Sequence, residues 1–267
     1  MKYFAISDVG NVRTVNEDSY RVLSIADNAL LAVVCDGMGG LSCGEVASAL
    51  AIDSFTDTVT RLCRGRIAEG KLTLSERDAY LILANAATRA NHAVMDYRSA
   101  HPEVDRMGTT LVAALIVDLG GQANVSWINL GDSRIYTVDH RDILQVSRDH
   151  SYVQYLVDTG EITYREAKNH PMSNVITRAI GIGDEIEPDI DTFPLSGEEC
   201  AMTHVFLCSD GFSGALDEEA CMRKINDPSQ SIEQKVTELV SHIKEIDGSD
   251  NITLVMIDLG EIANEKL

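Results

Sequence analysis

The 267-residue chain carries 42 acidic against 22 basic side chains, a formal charge of −20, with 45% hydrophobic and 24% charged residues. That length suits one large domain or two small ones with a substantial core, and, with no linker or repeat to divide it, the expected organisation is a single domain over 1–267. So acidic a surface repels nucleic acid and anionic lipid, which excludes both as favoured partners, whereas carboxylates gathered in one place attract divalent cations.

The six cysteines form no C-x-x-C pair, and two lie inside apolar runs (VVCDG, FLCSDG), as buried free thiols of a reducing compartment do. The start, MKYFAISDVG, lacks a signal peptide's apolar core, and no apolar run approaches the ~20 residues of a membrane span. A cytoplasmic protein is expected.

Along the chain, short strand-like runs come first: YFAIS, SYRVLSI and ALLAVVC. Two helical stretches follow, EVASALAIDSFTDTVTRL and SERDAYLILANAATRANHAVMDYR. Strands return as TTLVAALIVDL, NVSWINL, SRIYTVD and DILQVS, with hairpin turns expected at Gly120–Gly121 and Asp139–His140. The polar segment 149–180 reads as short helices in an excursion from the core. Regular structure resumes with HVFLCSD, the amphipathic SIEQKVTELVSHIKEI and the last strand, ITLVMIDL. Grouped strands, grouped helices and hairpin-length connections predict an α+β fold with antiparallel sheets.

Acids recur where apolar strands end. Asp36 closes ALLAVVC, Asp210 closes HVFLC, Asp250 and Asn251 precede ITLVMIDL, and Asp105 precedes MGTTLVAALI. Were these strands neighbours, the carboxylates would converge and raise one another's pKa, a conflict that one or two divalent metals resolve. The ligands are oxygens, with no His or Cys pair at zinc spacing, so Mg²⁺ or Mn²⁺ is expected, and the bare carbonyl of Gly37 suits such an ion. Arg13, in the polar turn of SDVGNVRTVNEDSY, could fork onto a phosphate, or could simply pair with Glu17 or Asp18.

Taken in order, SDVGNVRTVNEDSY, VVCDGMGG, GTTLVAALI, NLGDSRIY, SRDHSYV, NVITRAIG, LCSDGF and DNITLVMI resemble the metal-dependent Ser/Thr protein phosphatases of the type 2C family, in compact bacterial form. The resemblance spans about Ile6 to Leu259. It implies two packed antiparallel sheets flanked by helices on both sides, with a flap near 150–175. It also implies that Asp36 bridges two ions, Mn²⁺ or Mg²⁺, that the Gly37 carbonyl binds one, and that Asp210 and Asp250 complete the other. Asp105 with Asp210 would hold a possible third ion, Arg13 would grip phosphate, and Glu17 and Asp18 would hold metal-bound water. The implied reaction is attack of a metal-activated water on phosphoserine or phosphothreonine, without a covalent phosphoenzyme. Phosphorylated proteins, namely substrates of a Ser/Thr kinase and that kinase itself, are the implied partners, with a monomer as the default state. A non-catalytic phosphoprotein-binding module is the alternative.

One departure stands out. The histidine that family members carry just after the D-G pair or the D-G-M-G-G segment is replaced by Met38 and Leu41. Either another acid, such as His150 or a metal-bound water, donates the proton to the leaving group, or that group departs with less help. Asp132, in NLGDSRIY, reads as a residue fixing a hairpin or supporting the site; His92, His101, His140 and His204 read as surface or packing residues, and Trp127 as core.

Overall fold

The computed structural model describes residues 1–39, 43–104, 106–120, 122–195 and 202–260. In chain order the elements are β1 (Lys2–Asp8), β2 (Asp18–Ala26), β3 (Ala29–Gly39), α1 (Cys43–Cys63), β4 (Ile67–Ala68), β5 (Lys71–Leu72) and α2 (Glu76–Ala100). There follow β6 (Met107–Thr109), β7 (Leu111–Asp118), β8 (Ala123–Leu130), β9 (Arg134–Val138), β10 (Ile143–Gln145), α3 (Tyr152–Asp158) and α4 (Tyr164–Ala167). The chain continues through β11 (Asp189–Leu195), β12 (His204–Cys208), α5 (Asp210–Ser213), α6 (Glu218–Ile225), α7 (Ile232–Ile246) and β13 (Ile252–Asp258).

Two antiparallel sheets carry the fold, in the orders β1-β13-β12-β9-β10 and β11-β8-β7-β3-β2, with β6 added to β3. The central strands read as unbroken apolar runs because both of their faces are covered. On β3, Leu30, Ala32 and Val34 point into the sandwich, while Leu31, Val33 and Cys35 pack beneath α1 and α2. On β13, Val255 and Ile257 face the sandwich, and Ile252, Leu254 and Met256 face α6 and α7. Both long helices foreseen from periodicity are present. Ser75 caps α2 in a reciprocal box with Asp78, and Ser231 caps α7 in one with Gln234.

Three local expectations shift. The run TTLVAALIVDL is split at Thr110 into β6 and β7, because β3 pairs with each in turn. The second hairpin turns at His140–Arg141, one residue late, with Asp139 N–H donating to Asp142 C=O at 3.1 Å. Strand β11 is an addition: its Pro194 is tolerated because the strand lies at a sheet edge. Segment 150–177 is an excursion holding α3 and α4, closed at its base by the Ser151–Ile176 bridge. Trp127 belongs to the sandwich core. No disulfide joins the described cysteines, and among the described residues no helix is long and apolar enough to cross a membrane.

Candidate active site

The antiparallel topology brings the end of β3, the start of β2, the β8–β9 turn, the end of β12 and the start of β13 to one end of the sandwich. Each delivers an acid: Asp36, Asp18, Asp132, Asp210 and Asp250 respectively. Asp18 lies directly across the ladder from Asp36, a like-charge pairing that ordinary sheets avoid.

The backbone of Asp36 is fixed first. Its N–H donates to Thr110 Oγ1 at 2.9 Å, and its carbonyl accepts from Thr110 N–H and the Thr109 hydroxyl. Gly37 has no room for a side chain: a Cβ there would stand 2.1 Å from the Gly44 carbonyl and 2.6 Å from that of Glu17. Glycine is required at this position for the close approach of α1 to β3, beyond any bareness of its carbonyl. Glu17 in turn accepts the Gly44 N–H at 3.2 Å.

The electrostatics are those of acids forced together. Burial, then Asp18, Asp210 and Asp132, push the Asp36 carboxyl well above the usual range. Burial and the charge of Asp250 raise Asp210 as well, so this pair of neighbouring carboxyls favours keeping a proton whenever no cation is present. Burial raises Asp18 to about 7, although the Thr253 and Ser209 hydroxyls donate to its Oδ2 at 2.6 and 2.7 Å. Burial and Asp210 raise Asp132 to about 8. Oδ1 of Asp18, of Asp132 and of Asp210 are each buried without a hydrogen-bond partner.

Arg13 pairs with neither Glu17 nor Asp18. Its Nη2 donates to Asp250 Oδ2 at 2.8 Å, while Asp250 Oδ1 accepts the Asn251 N–H at 2.8 Å. With Asp250 turned onto the guanidinium, the cluster stops short of a closed cage: among the described residues no three His, Cys, Asp or Glu side chains are arranged as a ready metal site. The donor set nevertheless fits hard divalent cations, since it offers orphaned carboxylate oxygens and crowded, buried carboxyls whose protons an ion would displace.

Arg13, Glu17, Asp36, Gly37, Asp132, Asp210 and Asp250 all line one cleft of about 800 Å³, which runs on between Leu216 and the α3–α4 excursion. Asp18 sits behind Asp36 and is 7% exposed. Asp105 and Leu41 lie outside the described residues. Met38 lines the cleft, but His150 does not. Its ring is 6% exposed and faces Gly131 and Asp189, so it is not placed to protonate a leaving group.

A family model described as Protein phosphatase 2C matches residues 11–246. The chain belongs to the protein phosphatase 2C family. It is 31% identical over 252 residues to the serine/threonine phosphatase stp of Listeria monocytogenes, covering 94% of this chain and 93% of that protein. Among solved structures it resembles a bacterial serine phosphatase with a TM-score of 0.84, at 31% identity and 97% coverage of each chain. It likewise resembles the catalytic domain of the serine threonine protein phosphatase PstP in complex with two manganese ions: TM-score 0.74, 30% identity, 96% of this chain and 97% of that one.

Two residues hold a larger place in this cluster than their sequence context announces. Asp132, which reads as a turn or supporting residue, lines the same cleft as Asp210 and is raised by burial and then by the charge of Asp210. Asn251 was noted only as the neighbour of Asp250. Its Oδ1 accepts the Glu17 N–H at 2.8 Å, and its Nδ2 donates to the carbonyls of Val9 and Val15 at 3.0 and 3.1 Å. It thereby holds both ends of the loop that presents Arg13. The asparagine was visible in GSDNITLV, but its partners were not.

Proposed function

We propose that this phosphatase hydrolyses phosphoserine and phosphothreonine in proteins, with Asp36, the Gly37 carbonyl, Asp210 and Asp250 holding two ions, Mn²⁺ or Mg²⁺. The reading is carried by one observation: buried carboxylate oxygens without partners converge, beside an arginine, in a cleft open to solvent. The paired manganese ions of the PstP catalytic domain support it. Asp132 and Asp210 would hold a third ion, with each supplying an orphaned oxygen; Asp105 is a further candidate for that ion from sequence.

Such ions acidify a water for in-line attack and offset the charge of the phosphoryl oxygens. The chain's residues do the rest. Arg13, half exposed beside Asp250, can leave that carboxylate and fork onto two phosphoryl oxygens. Glu17 and Asp18, held by Gly44 N–H and by the Ser209 and Thr253 hydroxyls, would orient water around the first ligands. With Met38 in the cleft and no histidine directed into it, alkyl phosphates should lag behind aryl phosphates, whose leaving groups need no proton. Beyond the acids, Tyr164, Val157, Lys168 and Leu216 line a length of cleft far larger than one phosphoresidue, which suits a peptide segment.

We further propose that the enzyme works in the cytoplasm as a single-domain monomer over 1–267, opposing a Ser/Thr kinase. The experiment is Mn²⁺-dependent phosphate release from a phosphothreonine peptide. Loss of release in Asp36→Ala with the fold retained is expected; an Asp36→Ala variant as active as the parent would overturn the assignment. A Leu41→His variant should gain on the peptide more than on an aryl phosphate.

A further inference from the structure

His150 grips both backbone polar groups of a single residue on another element, Gly131. Its N–H donates to the Gly131 carbonyl at 2.8 Å, and its ring Nδ1 receives the Gly131 N–H at 3.2 Å. Gly131 adopts φ +119° in the β8–β9 turn, where a Cβ would stand 2.6 Å from Thr110 Cγ2. The next residue is Asp132, whose carboxyl faces Asp210. On its other side, the His150 carbonyl accepts the Thr177 N–H at 2.8 Å, next to the Ser151–Ile176 bridge that closes the base of the flap. One residue therefore joins the flap's entry, the flap's exit and the turn presenting Asp132.

The contact to Gly131 fixes the ring's state. A backbone N–H can only donate, so Nδ1 must offer a lone pair and the proton must sit on Nε2. Nε2 lies 3.2 Å from Asp189 Oδ2, the acceptor such an N–H requires, and 3.4 Å from Arg178 Nη1, a donor that finds its closer acceptor in the Glu187 carbonyl at 3.2 Å. The charged groups around the ring are Asp189 on β11, Arg178 on the flap's exit and Asp149 on its entry; burial dominates and keeps the ring below the ordinary histidine pKa. An imidazolium would set two donors against each other at Gly131.

We propose that His150 is a positioning residue, a neutral Nε2-protonated imidazole whose Nδ1 holds the Gly131–Asp132 turn in register with the flap. This rests on the reading of Asp132 and Asp210 as part of the catalytic cluster. Its structural half stands independently, so the two can fail separately.

The test uses three variants and two readouts that need no turnover. Asn places an acceptor where Nδ1 stands and Gln a donor where Nε2 stands, while Phe keeps volume and supplies neither. In the metal-free parent, imidazole ¹⁵N shifts should report the Nε2–H tautomer, and the Gly131 amide should exchange slowly. His150→Asn should keep that protection and stay within about threefold of the parental kcat. His150→Gln and His150→Phe should lose at least about tenfold of Gly131 protection, with kcat falling about 10–100-fold and KM for an aryl phosphate little changed. If the Phe variant does not fold, the Gln variant carries the comparison. An Nδ1–H tautomer or an imidazolium in the parent would overturn the proposal. So would parental kcat and Gly131 protection in a folded Gln variant, or equal losses in Asn and Gln. An inactive parent with slow Gly131 exchange and the expected tautomer would instead sink the catalytic reading and leave the latch standing.

Discussion

Arg13 Nη2 and Asp250 Oδ2 meet at 2.8 Å across 237 residues of sequence, joining the proposed phosphate-binding cation to a proposed ion ligand. The contact raises the arginine's pKa, through the hydrogen bond first and the charge of Asp250 second. It also means that phosphate and ion draw on the same pair: an ion engaging Asp250 weakens its hold on Arg13 and frees the guanidinium for substrate. Arg13→Ala should therefore lower kcat/KM for phosphopeptide about 10²-fold while leaving Mn²⁺ affinity equal or tighter. Steady-state kinetics beside a calorimetric Mn²⁺ titration separates the two effects, and weaker Mn²⁺ binding would contradict the coupling.

Asp36→Asn should separate function from stability. The amide keeps the shape of the side chain and needs no proton, whereas the Asp36 carboxyl stays buried beside Asp18, Asp210 and Asp132 only by taking up a proton or meeting their repulsion. Activity should fall by about 10³-fold or more. The metal-free protein should melt about 2–4 °C higher for each kcal/mol of repulsion relieved, measured by calorimetry in EDTA. A lower melting temperature for the metal-free variant would mean that the carboxyl is satisfied as it stands.

Much of this was legible from residue order. Asp36 and Asp210 announce themselves because buried strands that end in an acid need a reason for it, and β3 and β12 are buried strands. What could not be read was register. That Asp18 faces Asp36 across the ladder, and that β9 lies beside β12 so that Asp132 reaches Asp210, are facts of pairing between distant segments. NLGDSRIY carries the same turn signal whether its acid closes a hairpin or joins a site. Strand β11 hid behind Pro194 and an irregular pattern, and with it went Asp189, the partner that explains His150.

Asn251→Ala should damage stability and catalysis together. The side chain is 5% exposed and satisfies the Glu17 N–H and the carbonyls of Val9 and Val15. Its loss leaves buried polar groups unpaired and should cost about 2–4 kcal/mol, read as a lower urea midpoint at unchanged m-value. Because those bonds hold the Arg13 loop, KM for phosphopeptide should also rise. Asn251→Asp keeps the acceptor for Glu17 but not the donors, and should fall between Ala and the parent.

The raised carboxyls set the sign of the pH dependence. In the metal-free protein Asp18 titrates near 7 and Asp132 near 8, with burial the leading cause for both, whereas in the unfolded chain both titrate at about 3.9. The folded state thus holds more protons than the unfolded one as pH rises from about 4 to about 8, and stability falls over that window. Below about 6.5 the buried histidines His150 and His204, both held below their ordinary pKa, oppose the trend, because the unfolded chain takes up their protons first. Between about 6.5 and 8 the carboxyls act alone. The melting temperature in EDTA should therefore drop by about 5 °C across that interval. Saturating Mn²⁺ should abolish the drop, because the ion binds the deprotonated cluster and offsets the repulsion that ionisation creates. A melting temperature that rises with pH in EDTA over the same interval would mean that these carboxyls are already ionised in the metal-free fold.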